Sequence, residues 1–558
     1  MQSNNYWSST SNANNTNNAW IVDMNNGNVN NNNKTNNNNY VWPVRAGEWV
    51  FPMFTFENLY AGYLACRRRK RATVNALRFE MRCEENLIAL LEELNAGVWQ
   101  PSRSVCFIVE KPKMREIVAA DFRDRIVHHL LVERLEAIYE PVFVHDSYAC
   151  RTGKGVHRAV LRVQEYLRQA GSNNREPLSF VHLDVRNFFM TIDKRLLFNM
   201  LHKKVRDRRL LSLAEKIIFH EPVKNCIIKG NPELVQYLPP HKSLFHAPEG
   251  KGLPVGNLTS QFFANVYLNE LDQFVKHTLK HRFYVRYCDD FLLLDRDPEA
   301  LAQAREHIRV FLAGRLALSL NGKYEAVLPA AAGMDFLGYI IRPHYTLARR
   351  RVVNTMKTKL AAFERKLVTH EPGMALLHYD YPTIEKLRAV LASYMGHLKW
   401  ADTFNLRRRL LERYGFLHQL FSFEKGRIRP LYRFNEMLPR VRTQYCYYAW
   451  HFAPVPVFMR VGCFYEIHGK PTLATQALGL KRLGPNRRGA TCGFPARLAG
   501  QYAAKLVHLG MSAVFIGETD RSMGRIKVRL PEFRVQGSVA GDQGRGEWHL
   551  PLYSDFAC

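Results

Sequence analysis

The sequence predicts a multidomain α+β protein, and three observations lead to this fold class. The chain has 558 residues, which is too long for one hydrophobic core and corresponds to about three or four domains. Short runs rich in Val, Phe, Tyr and Leu, typical of strands, alternate with longer stretches whose apolar residues recur at helical spacing. The formal net charge is +29, which predicts a polyanionic partner, a nucleic acid before a membrane surface.

The composition argues against two other classes of protein. No apolar run approaches the length that a membrane-spanning helix needs, and no signal-peptide pattern opens the chain. The ten cysteines are scattered without a Cys-x-x-Cys pair, so they indicate buried thiols of a reducing compartment and neither a disulfide framework nor a zinc site. We therefore expect a cytoplasmic protein with no membrane partner.

Residues 1–45 form an Asn-rich head in which residues 30–33 and 36–39 are unbroken Asn runs. One interpretation is a disordered low-complexity segment. That interpretation does not explain the aromatic segments, which are spaced like the strands of a small β-rich fold. These segments are centred on Trp7, Trp20 and Trp42.

Two basic segments follow the head. Residues 107–117 have a strand-turn-strand pattern with Lys111 and Arg115 around the turn. Residues 147–155 form a basic, Gly-bearing loop that includes Arg151 and precedes a helical pattern. Such loops suit contact with phosphate, although the Gly-Lys-Gly of the second one is not a P-loop.

Carboxylates stand at the ends of three strand-like runs. Within residues 283–294, two apolar runs flank the adjacent pair Asp289 and Asp290, which predicts a hairpin with the pair in its tight turn. A third carboxylate, Asp184, ends an apolar strand that begins at Phe180. Carboxylate oxygens are the ligands that Mg²⁺ prefers. Taken alone, the Asp-Asp pair would be an ordinary surface turn, and the third carboxylate favours a metal site.

A Gly/Pro-rich loop over residues 251–261 leads into the next helix, where backbone amides suit phosphate and base edges. In this order, the blocks resemble those of a reverse transcriptase across residues 50–440. The resemblance implies a right-hand polymerase, with fingers and palm over residues 46–345 and a helical thumb over residues 346–445. The five corresponding motifs are Asp184, residues 253–261, residues 287–290, Lys323 and residues 336–338.

By this resemblance, Asp184 and Asp289 would hold two Mg²⁺ ions, with Mn²⁺ as a substitute and the Val185 carbonyl as a further ligand. Asp290 would support the metal site. One ion would activate the primer 3′-hydroxyl and the other would stabilise the leaving pyrophosphate. Lys323 would be the acid for pyrophosphate, and an ordinary exposed lysine is the alternative interpretation.

The resemblance also implies the nucleotide and nucleic-acid contacts. Lys111, Arg115 and Arg151 would hold the triphosphate of an incoming dNTP, since its developing charge needs fixed cations. The ring of Phe189 would leave no room for a ribose 2′-hydroxyl. The partners implied are template RNA, dNTPs, cDNA and the RNA–DNA hybrid. The thumb residues that would follow the duplex include Arg407 and Arg408.

The second motif narrows the subfamily. Many reverse transcriptases place Gln before its first Gly and Pro after its Ser; here these positions flanking Gly256 and Ser260 are Val255 and Gln261. This pattern resembles the enzymes of diversity-generating retroelements, which copy a template RNA and misread its adenines, often with a small basic accessory variability protein. Val255 cannot donate the hydrogen bond that a Gln would offer the nucleotide, and fewer fixed contacts mean weaker selection.

Two alternatives to this subfamily remain open, namely a defence-associated or group II intron-like reverse transcriptase and a non-catalytic RNA-binding scaffold.

The resemblance to diversity-generating retroelements also suggests another interpretation of the Asn-rich head. In such elements the mutable codons of the template repeat are typically adenine-rich Asn codons. Residues 1–45 would then be the template repeat read in frame with the polymerase, with translation really beginning near Met53. The disordered head is the alternative.

A new domain is expected over residues 455–535, where the sequence resembles the N-terminal mismatch-recognition domain of MutS proteins. In that family a Phe-x-Glu pair wedges a ring against a mispaired base, and here the matching residues are Phe464 and Glu466. Cys463 stands where the family usually has Asp. The alternative is a core Phe and a rim Glu on a small α/β domain. The Gly-rich residues 536–558 are predicted to be a flexible tail.

Overall fold

The structure is a computed structural model that describes most of the chain after residue 53. The backbone is also described for four strands nearer the N-terminus. The described ranges are 54–68, 73–110, 113–322, 325–371, 374–424, 426–431, 438, 440–469, 472–482, 490–523 and 526–537. Lys111, Lys323, Met53, residues 538–558 of the predicted tail and the parts of the head outside its strands lie outside the described residues. The first two residues of the predicted tail, Gln536 and Gly537, instead belong to a strand that ends at Gly537, because they pair with a neighbouring strand.

The helices follow the apolar periodicity of the sequence and are numbered in chain order. They are α1 (Phe56–Arg67), α2 (Val74–Glu80), α3 (Cys83–Asn95), α4 (Phe122–Tyr139), α5 (Val156–Ala170), α6 (Phe188–Thr191), α7 (Lys194–Lys204), α8 (Arg208–Phe219), α9 (Leu258–Gln273), α10 (Pro298–Leu316), α11 (Arg350–Leu367), α12 (Tyr381–Leu398), α13 (Phe404–Arg413), α14 (Leu417–Leu420), α15 (Val441–His451), α16 (Leu473–Ala477) and α17 (Ala499–His508).

The strands are numbered in the same way. They are β1 (Asn5–Asn12), β2 (Asn15–Asp23), β3 (Val29–Asn33), β4 (Tyr40–Val41), β5 (Val105–Val109), β6 (Arg115–Ala119), β7 (Ser179–Asp184), β8 (Ile227–Ile228), β9 (Tyr284–Tyr287), β10 (Asp290–Asp295), β11 (Val327–Pro329), β12 (Met334–Phe336), β13 (Tyr339–Ile341), β14 (Thr346–Ala348), β15 (Val368–Glu371), β16 (Met374–His378), β17 (Phe421–Glu424), β18 (Arg427–Pro430), β19 (Val457–Val461), β20 (Phe464–His468), β21 (Ala490–Pro495), β22 (Ala513–Met523) and β23 (Ile526–Gly537).

The chain divides into two compact units, each described here by itself. The first unit comprises residues 1–138, 201–238 and 254–259, and the second comprises residues 139–200, 239–253 and 260–558. In the first unit, the head forms a four-stranded sheet in the order β3-β2-β1-β4. Trp7 and Trp20 fall on strands β1 and β2, where the aromatic spacing predicts strands.

The palm sheet of the second unit has the order β11-β7-β10-β9 and is antiparallel throughout. Its strands are almost wholly apolar because both faces are covered. Helix α5 packs Val163 and Leu167 into the same core as Phe180 and Leu292 of the sheet. The carboxylates occur only at the strand ends, so the sheet is a rigid support for the residues at its edge.

The C-terminal part of the second unit contains a feature that the sequence analysis missed. Strands β15 and β16 lie within the predicted helical thumb, yet they join a seven-stranded sheet in the order β15-β16-β23-β22-β19-β20-β21. Strand β16 pairs antiparallel with β23, so that Leu376 faces Val535 across the two strands. The thumb region and the proposed mismatch-recognition domain therefore share one sheet.

Helices α11, α12 and α13 lie in the region where a helical thumb is predicted, and the thumb stays a prediction. Met356, Leu360 and Leu367 of α11 are buried at helical spacing. Its basic residues Arg350, Arg351, Lys357, Lys359, Arg365 and Lys366 are exposed. Within the described ranges, no helix combines the length and the apolar character that crossing a membrane requires.

Candidate active site

The predicted Asp-Asp hairpin is present in the palm. Strands β9 and β10 pair antiparallel with Tyr287 opposite Asp290, so Cys288 and Asp289 form the two-residue turn between them. Cys288 has a φ of +59°, the left-handed conformation that tight hairpin turns require. The turn thereby places Asp289 at the end of the sheet.

The third carboxylate lies directly across the sheet. Asp184 ends β7 and is the register partner of Asp290 on β10, and directly opposed residues project from the same face of a sheet. The backbone N–H of Val185 donates to the Asp289 carbonyl at 3.2 Å. The Asp184 carboxylate accepts a hydrogen bond from Asn321 Nδ2 at 2.9 Å. The structure thus brings together Asp184, Asp289 and Asp290, the three carboxylates that the sequence predicts for one metal site.

The electrostatics of this cluster favour a cation. Burial, together with the negative charges of Asp184 and Asp290, raises the pKa of the Asp289 carboxyl to about 6, against the lowering effect of the turn's backbone N–H. A divalent cation between these groups would remove the repulsion.

The donor set fits magnesium. Carboxylates and the Val185 carbonyl are hard oxygen ligands, and Mg²⁺ is commonly held by one or two carboxylates together with substrate phosphates. Across the described ranges, no group of three or more His, Cys, Asp or Glu side chains forms a ready-made metal cluster.

His182 is a neighbour of this cluster that the sequence analysis missed. It lies two residues before Asp184 and therefore on the same face of β7. Its Nε2 contacts Oδ1 of Asp290, and its ring lies edge-on to Phe336 with 6.0 Å between ring centroids. Period-two reading of β7 could have found it. The Asp290 carboxylate therefore has a partner within the protein.

Phe189, the predicted barrier to ribose, lies in the short helix α6. Phe188 is buried and packs edge-on against the Phe189 ring, with 5.4 Å between ring centroids. The Phe189 carbonyl accepts from the N–H of Leu253 at 2.8 Å. The ring of Phe189 is half-buried, and its role as a steric gate stays a prediction.

Gln261 and Arg151 have contrasting environments in the second unit. Gln261 is exposed in the first turns of α9, and its Oε1 lies 3.3 Å from the Cys150 thiol, which donates to it. The Arg151 side chain is only 6% exposed. Its guanidinium donates to the Glu140 carboxylate at 2.7 Å and to the Val144 carbonyl at 2.7 Å. These contacts give Arg151 a structural role in its loop, and its predicted role at the triphosphate stays a prediction.

Three further predicted residues belong to the first unit. Arg115 begins β6 and is exposed. The Val255 carbonyl accepts from the N–H of Val118 at 2.9 Å. Gly256 has a φ of +125°, and a Cβ there would lie 2.8 Å from Cγ2 of Ile117. A side chain at Gly256 would therefore be both strained and crowded.

Phe464 and Glu466, the proposed wedge pair, lie in the C-terminal sheet. Their burial is the reverse of the alternative interpretation, in which the Phe is in the core and the Glu is at the rim. Phe464 is 49% exposed at the start of β20, whereas Glu466 is buried. The Glu466 Oε2 lies 3.4 Å from Nε2 of His468. The ring is thus available to a ligand, and the carboxylate is covered. On helix α13 of the thumb, Arg408 is exposed and Arg407 is half-buried.

The turn before Phe464 is held by a carboxylate from another strand. Val461 pairs with Phe464, so Gly462 and Cys463 form a two-residue turn. The N–H of Gly462 donates to Oε1 of Glu518 at 3.0 Å, and Arg529 donates to the same oxygen at 2.6 Å. These contacts order the turn with Cys463 at the position where the resembling family has Asp.

Several known proteins are similar to this chain in sequence. The family model described as reverse transcriptase (RNA-dependent DNA polymerase) matches residues 108–341. The chain is 27% identical over 323 residues to Protein YkfC of Escherichia coli (strain K12), which is 52% of this chain and 80% of that protein. It is 24% identical over 325 residues to the Group II intron-encoded protein LtrA of Lactococcus lactis subsp. cremoris.

The match to LtrA covers 46% of this chain and about half the length of that protein, 50%. Among solved structures, apo telomerase from Candida Tropicalis shares 12% identity at a TM-score of 0.34, covering 57% of this chain and 61% of that one. The matched range 108–341 contains Asp184, Asp289 and Asp290. It is a reverse transcriptase domain of mixed α+β fold, and the enzyme class of the domain is RNA-directed DNA polymerase.

Proposed function

Because residues 108–341 are a reverse transcriptase domain, we propose that the chain copies a template RNA into cDNA by two-metal phosphoryl transfer. The observation that carries this proposal is the set of Asp184, Asp289 and Asp290 at one edge of the palm sheet. Asp184, Asp289 and the Val185 carbonyl would hold the ions. When bound, the ions supply activation of the primer hydroxyl and neutralise charge on the leaving pyrophosphate.

The residues of the chain then position the reactants. Asp290, hydrogen-bonded to His182, contributes negative charge beside the metal ligands. Phe189 faces the ribose of the incoming dNTP and disfavours a 2′-hydroxyl. Arg115 and Lys111 bind the triphosphate, where fixed cations offset the charge that develops in the transition state. Lys323 protonates the pyrophosphate as it leaves.

We further propose that this polymerase belongs to a diversity-generating retroelement and misreads adenines of its template. This proposal is supported by the two residues of the second motif that differ from many reverse transcriptases, Val255 and Gln261. Val255 offers the nucleotide only an aliphatic side chain, and Gln261 is an exposed amide at the start of α9. Weaker fixed contacts reduce selection between correct and incorrect nucleotides. A small basic accessory protein would assist this reaction.

The C-terminal sheet is proposed to bind the mismatched template–cDNA hybrid through Phe464. An exposed ring at the start of a strand, next to an ordered turn, suits stacking on an unpaired or mispaired base. Arg407 and Arg408 of the thumb would contact the hybrid's phosphates. Glu466 would need to leave its buried position beside His468 before it could accept a hydrogen bond from a base.

A second candidate function is a group II intron-like reverse transcriptase. It is favoured by the similarity to LtrA over 325 residues. Val255 and Gln261 argue for the retroelement instead. A near-copy of the DNA for residues 1–45 beside the gene, differing at adenines, would decide for the retroelement, and a mass spectrum of the native N-terminus would locate the start of translation.

The test of polymerase activity is primer extension on an RNA template by the full chain. Asp289→Asn should reduce cDNA synthesis about a thousandfold, since metal ligation contributes several kcal/mol to the transition state. Asp207→Asn is the matched control, because Asp207 caps helix α8 through its carboxylate and Asn caps equally well. Full activity in Asp289→Asn, or no cDNA from the wild type, would contradict the proposal.

A further inference from the structure

A fully buried ion pair lies behind the catalytic turn. Arg286 of β9 and Asp272 of α9 have side chains that are 0% exposed. The guanidinium donates to Oδ1 of Asp272 at 2.7 Å and to Oδ2 at 2.5 Å, while Tyr284 donates its hydroxyl to Oδ1 at 2.7 Å. Removing two charges from water is costly, so a buried pair of this kind is weak evidence for stability alone. It calls for another explanation.

The remaining nitrogen of Arg286 contacts the turn itself. Its Nη1 donates to the Cys288 carbonyl at 3.0 Å and to Oδ1 of Asn265 at 3.2 Å. Cys288 has a φ of +59°, a left-handed conformation that is unfavourable for a residue with a side chain. The guanidinium therefore holds the peptide that directly precedes Asp289.

The Arg286–Asp272 ion pair also connects the Cys288–Asp289 turn to the face of α9 that carries Gln261. Gln261, Asn265 and Asp272 are spaced by four and seven residues and share one helix face. Asn265 donates to the Ala149 carbonyl at 2.8 Å, and the next residue, Cys150, donates to Gln261. One polar network thus fixes both the metal-binding turn and the helix of the second motif.

We propose that Arg286 is a positioning residue that acts through the Cys288 carbonyl to hold Asp289 in the geometry that metal binding needs, with Asp272 and Asn265 as its supports. The inference rests on the proposed polymerase function and adds a residue that touches no substrate. It explains why a bidentate arginine stands here: one planar fork can bind a carboxylate while its remaining nitrogen binds a carbonyl. A lysine cannot do both.

The test is a Mg²⁺ titration of Arg286→Lys, followed by primer extension at saturating dNTP and primer–template and, independently of activity, by the Mg²⁺ affinity of the protein in isothermal titration calorimetry. Loss of an outer contact to a metal ligand typically costs about tenfold or more in metal affinity. We therefore expect the half-saturating Mg²⁺ concentration to rise about tenfold, kcat to fall about tenfold or more, and the KM for dNTP to change little. Arg67→Lys is the matched control, since Arg67 makes a bidentate pair with Glu80 and should keep the wild-type Mg²⁺ requirement.

A lower kcat in proportion to the folded fraction, with an unchanged Mg²⁺ requirement, would show a merely structural role and overturn the inference. If Arg286→Lys does not fold, Asn265→Ala decides, because it removes one partner of the guanidinium and leaves the ion pair. It should raise the Mg²⁺ requirement by about threefold; an unchanged requirement there overturns the inference. Failure of the proposed function is distinct, since it would appear as no cDNA from the wild type or as full activity in Asp289→Asn.

Discussion

Two hairpin turns of the second unit have the same construction and different burial. Cys288–Asp289 and Gly462–Cys463 are both two-residue turns, and Cys288 and Gly462 both have a positive φ, +59° and +62°. A carboxylate–arginine pair lies behind each. The palm pair is 0% exposed on both sides, whereas Glu518 and Arg529 of the C-terminal pair are 12% and 4% exposed and Lys527 adds a further contact to Glu518.

The difference follows from what each turn presents. For metal binding, the palm turn must hold its carboxylate oxygens within a fraction of an ångström. A fully buried ion pair provides this rigidity because no water can compete for its hydrogen bonds. The C-terminal turn precedes an exposed ring, Phe464, whose proposed ligand is a base with a broad stacking surface. A partly solvated carboxylate is sufficient there.

The largest expected difference concerns stability. Asp272→Asn leaves the Arg286 charge buried and uncompensated, which should lower the free energy of unfolding by about 3–5 kcal/mol. Denaturant unfolding of the full chain measures it. A loss below about 1 kcal/mol would show that the palm pair is no more demanding than an exposed one, and the contrast between the turns would fail.

The second expected difference concerns binding. Phe464→Ala should weaken binding of a mismatched RNA–DNA hybrid by about 1–3 kcal/mol, the range for base stacking on an aromatic ring, with little loss of stability because the ring is half-exposed. Tyr237→Ala, at a side chain that is 71% exposed, is the control. Equal weakening for matched and mismatched hybrids would remove mismatch recognition from the account.

Acidification tests a buried histidine in another part of the fold and the carboxylate behind the C-terminal turn. Burial lowers the pKa of His128 to about 3, so below about pH 6.5 the unfolded chain gains a proton that the folded chain refuses, and stability falls with pH. The loss should reach about 1.4 kcal/mol at pH 5.5. Burial of Glu518 raises its pKa, but the Gly462 N–H and Arg529 outweigh this and lower it, so its contribution persists above about pH 4.5.

Unfolding measured between pH 7.5 and 5.5 leaves the Glu518 contact intact, and other groups such as Asp289 also titrate in this range. The contribution of His128 is therefore the difference between the wild type and His128→Gln. His128→Gln should flatten the pH dependence in this range. Unchanged pH dependence in that variant would assign the acid sensitivity to another group.

The smallest effect is expected at the C-terminal turn. Glu518→Gln keeps an oxygen for the Gly462 N–H and loses the charge that faces Arg529. Since the Gly462 N–H and Arg529 keep a hydrogen-bond acceptor in the Gln side chain, the free energy of unfolding should fall by about 1–2 kcal/mol, less than for Asp272→Asn. A loss as large as that of Asp272→Asn would mean that both turns depend on their ion pairs to the same degree.

The palm was predictable from sequence because its signals are local. Apolar runs beside Asp289 and Asp290 predict a hairpin, and the structure contains that hairpin, with the Asp184 strand paired beside it. Helical spacing likewise fits α11 in the region of the predicted thumb, where Met356, Leu360 and Leu367 are buried. Period-two and helical spacing were sufficient for these elements.

The missed features depend on distant partners. Strands β15 and β16 are short, and β16 finds its partner β23 about 150 residues later, which no local pattern specifies. The roles of His182 and Arg286 come from cross-strand and strand-to-helix contacts. Arg151 was assigned to phosphate because a basic Gly-bearing loop is typical of that role, whereas the structure gives it the Glu140 carboxylate.

We propose that the Asp184–Asp289–Asp290 site copies RNA into DNA and does so inaccurately at adenine. The most direct measurement is sequencing of the cDNA that the full chain makes on an RNA template containing all four bases, with Asp289→Asn as the blank. We expect substitutions concentrated opposite template adenines and few opposite the other bases, with no product from Asp289→Asn. Faithful copying at adenine, or errors spread evenly over the four bases, would contradict the account.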